Sequence, residues 1–152
     1  MIIDTSVVIA MLHREPEAQA FADLMAAAPR RRLSAASYVE LSAVVDGKRD
    51  PALSGALDAI LDGSRIELAP FTNAQARIAR DAYQRFGRGA GHPARLNMGD
   101  CFSYALARDT GEPLLFKGND FALTDIELVI EPDRRRRLSE VVAAYGSGLA
   151  QS

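Results

Sequence analysis

Asn97-Met98-Gly99-Asp100-Cys101-Phe102-Ser103-Tyr104-Ala105-Leu106-Ala107, followed shortly by Pro113-Leu114-Leu115-Phe116-Lys117-Gly118-Asn119-Asp120-Phe121, is the stretch that decides how this chain folds. Met98, Cys101, Phe102, Ala105 and Leu106 fall at the i, i+3, i+4, i+7, i+8 spacing of an amphipathic helix. Asn97 is a good N-cap, which puts Asp100 in the first turn, where the helix dipole favours a carboxylate. Pro113 to Phe116 reads as a short buried strand, and Lys117-Gly118-Asn119-Asp120 breaks it, leaving Asp120 in a loop past the strand's C-terminal end. In open parallel sheets that edge is where ligands bind. Taken singly, a first-turn aspartate is commonly a cap, and Gly-Asn-Asp-Phe is an ordinary turn. Taken together, the two aspartates can converge on one cation.

Working outward, the same grammar recurs. Met1-Ile2-Ile3 reads as a strand ending at Asp4, then Thr5-Ser6 and a helix over Val7 to Leu12. Glu15-Pro16-Glu17 opens a second helix running to about Ala28, with Pro near N1. Arg32 to Ser34 reads as a strand and Ala35 to Val45 as a helix, with Glu40 beside its apolar side. Ala52 to Leu61 is a helix, and Ile66 to Pro70 alternates as a strand should. Thr72 caps a helix over Asn73 to Phe86, and a glycine-rich cationic loop, Gly87 to Arg95, returns the chain to Asn97. Ile126 to Ile130 is the last strand. Residues 131–152 carry Arg134 to Arg137 and then Leu138, Val141, Val142 and Tyr145 at helical spacing, an extension of unknown role. Strands separated by helices imply an α/β sandwich with a mostly parallel central sheet of about five strands. One domain over residues 1–130 is expected, with Asp4, Asp100, Asp120 and Glu40 reaching one edge of the sheet.

Bulk properties narrow the function classes. Of 152 residues, 48% are hydrophobic and 25% charged, as in an ordinary globular domain. No apolar run is long enough for a membrane span and no secretory leader is visible, so an intracellular, cytoplasmic location is expected. A single cysteine, Cys101, excludes an internal disulfide, and two distant histidines, His13 and His92, argue against a His-rich zinc site. We expect Cys101 in the core and His92 exposed in its loop. A net charge of −2 argues against nucleic-acid binding through bulk charge, leaving local patches as the means.

Four carboxylates in one cleft are costly. Two unit charges about 6 Å apart repel by roughly 3 kcal/mol at an effective dielectric near 20. Either some protonate or divalent cations neutralise them. A donor set of oxygens alone favours Mg²⁺ or Mn²⁺, and such ions promote in-line displacement at phosphorus. The expected chemistry is metal-assisted phosphodiester hydrolysis, with Asp4, Asp100 and Asp120 holding metal and Glu40 orienting or deprotonating the attacking water. Lys117, Arg88 and Arg95 are candidates to offset phosphate charge, whereas Arg30 to Arg32 and Arg134 to Arg137 read as solvated charge or partner contacts.

Met1-Ile2-Ile3-Asp4-Thr5-Ser6, Glu40 in Ala-Ser-Tyr-Val-Glu-Leu, Leu96-Asn97-Met98-Gly99-Asp100 and Lys117-Gly118-Asn119-Asp120-Phe121 together resemble the PIN-domain family. More narrowly they resemble the VapC-type ribonuclease toxins of bacterial toxin–antitoxin pairs. The resemblance covers about residues 1 to 130. It implies a PIN-like α/β/α fold, Mg²⁺- or Mn²⁺-dependent endoribonuclease activity on RNA, a homodimer, and a cognate antitoxin that blocks the cleft. Asp4, Glu40, Asp100 and Asp120 match the family's acidic quartet, and the hydroxyl of Thr5 or Ser6 matches the position supporting the first aspartate. The tail from Glu131 is a departure, since members often end near the last strand.

Two other readings compete. A receiver-like domain would accept a phosphoryl group on aspartate, but such sites want an acidic pair after the first strand, where Asp4 is followed by Thr5-Ser6. A non-catalytic PIN-like module would use its acidic pocket to recognise a basic partner. Metal-dependent RNA cleavage separates both from the nuclease.

Overall fold

The computed structural model describes residues 1–129 and position 143; the expectations for Ile130 and for most of the extension, including Arg134 to Arg137, lie outside the described residues. Five strands, β1 (Ile2–Ile3), β2 (Arg31–Ser34), β3 (Ile66–Ala69), β4 (Leu114–Leu115) and β5 (Leu128–Val129), form one sheet in the order β3-β2-β1-β4-β5. All four pairings are parallel, with Ile2 opposite Arg32 on one side and Leu114 on the other. The helices are α1 (Thr5–Leu12), α2 (Ala18–Ala27), α3 (Ala35–Asp46), α4 (Pro51–Gly63), α5 (Asn73–Phe86) and α6 (Met98–Thr110).

Alternation along the short strands divides the core in two. Ile2 and Leu114 pack with Ala79, Ala82, Phe86, Tyr104, Leu106 and Phe116, under α5 and α6. Ile3, Leu33 and Leu115 pack with Val7, Val8, Phe21, Met25, Leu41 and Leu57, under α1 to α4. Successive residues of a strand point to opposite faces, so two-residue strands suffice to join both cores, and the architecture is the expected α/β/α sandwich.

Local chemistry sets most helix starts. The Asp50 carboxylate accepts from Ala52 N at 3.0 Å, and Pro51 occupies the first turn, so α4 starts one residue before the expected Ala52. Thr72 caps α5 as its sequence indicates, accepting from Gln75 N at 3.1 Å. The second helix starts later than expected, at Ala18. Glu15 N donates to Ala10 O and Glu15 O accepts from Ala18 N, which keeps Glu15-Pro16-Glu17 in a turn between α1 and α2. Arg14, Arg49 and Arg65 follow α1, α3 and α4 with φ of 51°, 57° and 50°, left-handed positions where glycine is usual. The last strand starts at Leu128 rather than at the expected Ile126, pairing Leu114 with Leu128 and Leu115 with Val129.

Ile3 is fully buried on the central strand. Ile3→Ala is expected to lower unfolding stability by about 3 kcal/mol in urea titrations; a loss below about 1 kcal/mol would contradict this view of the core.

Candidate metal-dependent nuclease centre

Strand order reverses between β1 and β4: β2 and β3 extend the sheet one way from β1, β5 the other way from β4. Open α/β sheets bind ligands outside the carboxyl ends of the strands at such a switch point. Asp4 follows β1 directly, and Lys117 to Asp120 follow β4.

Asp4 is 4% exposed and serves as N-cap of α1, its Oδ2 accepting from Ser6 N at 3.0 Å. Its Oδ1 accepts from the buried Ser103 hydroxyl of α6 at 2.6 Å. Asp4 N donates to Leu115 O, and the Ser6 hydroxyl accepts from Lys117 N at 2.9 Å. Of the two candidates, Ser6 thus supports Asp4 through its backbone N–H, while its hydroxyl ties the end of β4 to the start of α1. The hydroxyl that grips the carboxylate comes from Ser103, which the sequence reading missed. Its spacing of three from Asp100 puts it on the same side of α6, and that was the available signal.

Asp100 sits where the capping pattern put it. Asn97 Oδ1 accepts from Asp100 N at 2.8 Å while Asp100 Oδ2 accepts from Asn97 N at 2.8 Å, a reciprocal capping box. Loss of water around Asp100 pushes its carboxyl from an ordinary 3.8 up to about 6; Asp4 and Asp120 add to the rise, and the Asn97 N–H and Arg88 oppose it. Asp120, an exposed residue, is also raised, first by partial loss of water and then by Asp4, with Arg88 opposing. These couplings bring Asp4, Asp100 and Asp120 into one electrostatic cluster. Asp120 is the first residue of a 3-10 turn, Asp120–Leu123, rather than part of a plain loop, and Gly118 at φ 102° makes the preceding reversal. Glu40 is exposed on α3, with its carboxylate against Gly99 in the first turn of α6.

The cationic candidates separate. Arg88 is exposed and close enough to act on Asp100 and Asp120. Arg95 is exposed with φ 50°. Lys117, unlike the other two, is already committed: its ammonium is paired with Glu15 and, at 3.4 Å, with Glu17. Arg31 and Arg32 are not solvated charge either. Arg31 donates to Met25 O and Ala28 O at the end of α2, Arg32 pairs with Glu112, and Arg30 pairs with Glu67 at 2.8 Å. His92 is half-buried rather than exposed, its ring edge-on to Phe86 at 4.9 Å and its Nδ1 accepting from Ala94 N. Cys101 is buried in the core as expected.

Among the described residues no three Asp, Glu, His or Cys side chains close into a ready-made cage. Asp4, Asp100 and Asp120 feel one another's charge and Glu40 lies one residue from Asp100 against Gly99; oxygen donors of this kind are the chemistry that a hard divalent cation completing its shell with water would take.

Because the folded-state value of Asp100 is raised, its ionised form destabilises the fold. The penalty is absent below about pH 4, grows as pH rises, and is complete above about pH 6. In metal-free buffer, Asp100→Asn is therefore expected to melt about 2–6 °C above wild type at pH 7.5. Most of that gap should vanish at pH 4.5; a gap that widens on acidification would contradict the sign.

The PIN domain family model matches residues 1–127. VapC ribonuclease Mb0625 of Mycobacterium bovis and ribonuclease VapC28 of Mycobacterium tuberculosis are each 55% identical over 135 residues, covering 89% of this chain and 100% of theirs. Ribonuclease VapC of Mycolicibacterium smegmatis is 44% identical over 129 residues, 85% of this chain and 99% of its own. The solved structure of a toxin–antitoxin complex from Klebsiella pneumoniae shares the fold, with TM-score 0.59 at 19% identity over 80% of this chain and 89% of that one. A five-stranded parallel sheet carrying acidic side chains at its switch point, together with these matches, places the chain in the PIN-domain family, among the VapC-type ribonucleases.

Proposed function

We propose that this protein is a metal-dependent endoribonuclease that hydrolyses RNA phosphodiester bonds and acts as the toxin of a toxin–antitoxin pair. The observation that carries the reading is the placement of three aspartates around the switch point: Asp4 at the end of β1, Asp120 past the end of β4, and Asp100 on α6, the helix whose Ser103 hydroxyl holds Asp4. Those three would hold Mg²⁺ or Mn²⁺. When bound, such an ion acidifies water and neutralises charge at the scissile phosphate. Ser103 and the Ser6 N–H fix Asp4 in one orientation, so this donor is set before substrate arrives. Glu40 orients the attacking water and takes its proton as the water oxygen bonds to phosphorus. The bond to the leaving sugar oxygen then breaks, and that oxygen takes a proton from solvent water. Arg88 supplies positive charge against the phosphates at the rim, and Arg95 extends it along the same loop.

The names of the relatives support RNA as substrate, and the toxin–antitoxin neighbour supports an antitoxin protein as partner. A homodimer belongs to the same proposal. It is supported by exposed apolar side chains at Val39, Val44, Tyr83 and Met98, and by a groove of about 540 Å³ between α5 and α6 lined by Phe71, Tyr83, Met98 and Phe102. Among the described residues no helix is long and apolar enough to cross a membrane; action on RNA makes the cytoplasm the proposed location.

Purified protein with Mn²⁺ should cut RNA, and EDTA should stop it. Asp100→Asn, folded by circular dichroism, should lose about 10²-fold or more in kcat. A folded Asp100→Asn protein that cuts at the wild-type rate would refute the assignment.

A further inference from the structure

The first turn of α6 contains a glycine whose absent side chain leaves room for another residue's carboxylate. A Cβ built on Gly99 would lie 2.4 Å from Glu40 Oε2, 2.9 Å from Oε1 and 3.0 Å from Cδ. The two residues come from helices that pack on different cores, α3 with Leu41 and Val45 in one and α6 with Tyr104 and Leu106 in the other. Glycine in a helix of this protein does not by itself mark a close approach, because Gly55 and Gly63 in α4 have nothing within 4 Å of the same position. No hydrogen bond or ion pair among the described residues holds the Glu40 carboxylate. Its placement rests on contact with the bare backbone of α6, one residue from Asp100, at the positive end of that helix.

We infer that Gly99 is a positioning residue for the Glu40 carboxylate: its lack of a side chain lets the carboxylate lie against the first turn of α6, beside the metal-holding aspartates. The inference rests on the proposed role of Glu40 in orienting the attacking water. Glu40 is the end of a flexible, exposed side chain, so a methyl group at position 99 displaces the carboxylate without breaking the fold. Alanine is also the better helix former, and the substitution narrows the unfolded ensemble. Stability and catalysis should therefore respond in opposite directions, which a residue of purely structural importance would not produce.

The test compares wild type with Gly99→Ala, Gly99→Ser, Glu40→Gln, Glu40→Ala and the Glu40→Ala/Gly99→Ala double variant. Gly99→Ala should melt at or above the wild-type temperature and bind Mn²⁺ within about threefold of wild type, since Asp4, Asp100 and Asp120 are untouched. Its kcat should fall about 10- to 100-fold, as for an angstrom-scale misplacement of a catalytic group, with KM for RNA nearly unchanged. Gly99→Ser should show the same split. Once Glu40 is alanine, adding Gly99→Ala should have no further effect on kcat, because nothing is left to displace. Wild-type kcat in Gly99→Ala beside an inactive Glu40→Gln would overturn the inference about Gly99 alone. Wild-type kcat in Glu40→Gln would overturn the role of Glu40 and the inference with it.

Discussion

Repulsion among carboxylates at one end of the sheet is the constraint on which the rest of this structure depends. Burial lifts the Asp100 carboxyl to about 6, and the charges of Asp4 and Asp120 push it the same way. What holds them is neutral: a serine hydroxyl and a backbone N–H on Asp4, and the Asn97 N–H on Asp100. The nearby lysine does not relieve the charge, because Lys117 is committed to Glu15 and Glu17. Like charges brought within several ångströms of one another cost on the order of kilocalories per mole, a sizeable share of the stability of a small domain. The fold tolerates that excess in a place where a cation can remove it.

The architecture makes the arrangement affordable. β1 is hydrogen-bonded on both sides, and its two residues feed both hydrophobic cores, so the backbone that presents Asp4 cannot shift without disturbing the molecule as a whole. Bonds from Asp4 N to Leu115 O and from Lys117 N to Ser6 Oγ lock the end of β4 to the start of α1 across the switch point. On the far side of α6, Tyr104 donates to Asp125 at 2.5 Å, and Arg85 pairs with the same carboxylate at 2.7 Å, pinning the segment after the 3-10 turn of Asp120. Each acidic residue is thereby placed by a different device: a strand end, a capping box, a tethered turn, and a glycine floor beneath Glu40.

Legibility in the sequence followed the range of the interactions. Asn97 with Asp100, and Thr72 with Gln75, are local caps whose signals lie within four residues, and both helix starts were readable. The parallel sheet was readable from strands separated by helices, and the strand-end position of Asp4 came with it. Ser103 was missed because a serine within a helix carries no local mark of the aspartate it holds, 99 positions away. Lys117 was misjudged for the same reason, since its partner Glu15 is 102 residues distant. The ends of α3 and α4 run one and two residues past the expected Val45 and Leu61, where arginine rather than glycine takes the left-handed position at Arg49 and Arg65. The contact between Glu40 and Gly99 could not be read at all, because it exists only once α3 and α6 have packed.

A folded protein with a pocket of negative charge awaiting a divalent cation should reveal it most directly in thermal unfolding under titration with Mn²⁺. Binding to the native state alone should raise the melting temperature with each decade of Mn²⁺ above the dissociation constant, by about 1.4 kcal/mol of stability per decade, with K⁺ at matched ionic strength as control. The rise should shrink in Asp4→Asn and Asp100→Asn. A wild-type melting temperature that stays flat up to millimolar Mn²⁺, or a rise that K⁺ reproduces in full, would contradict the account.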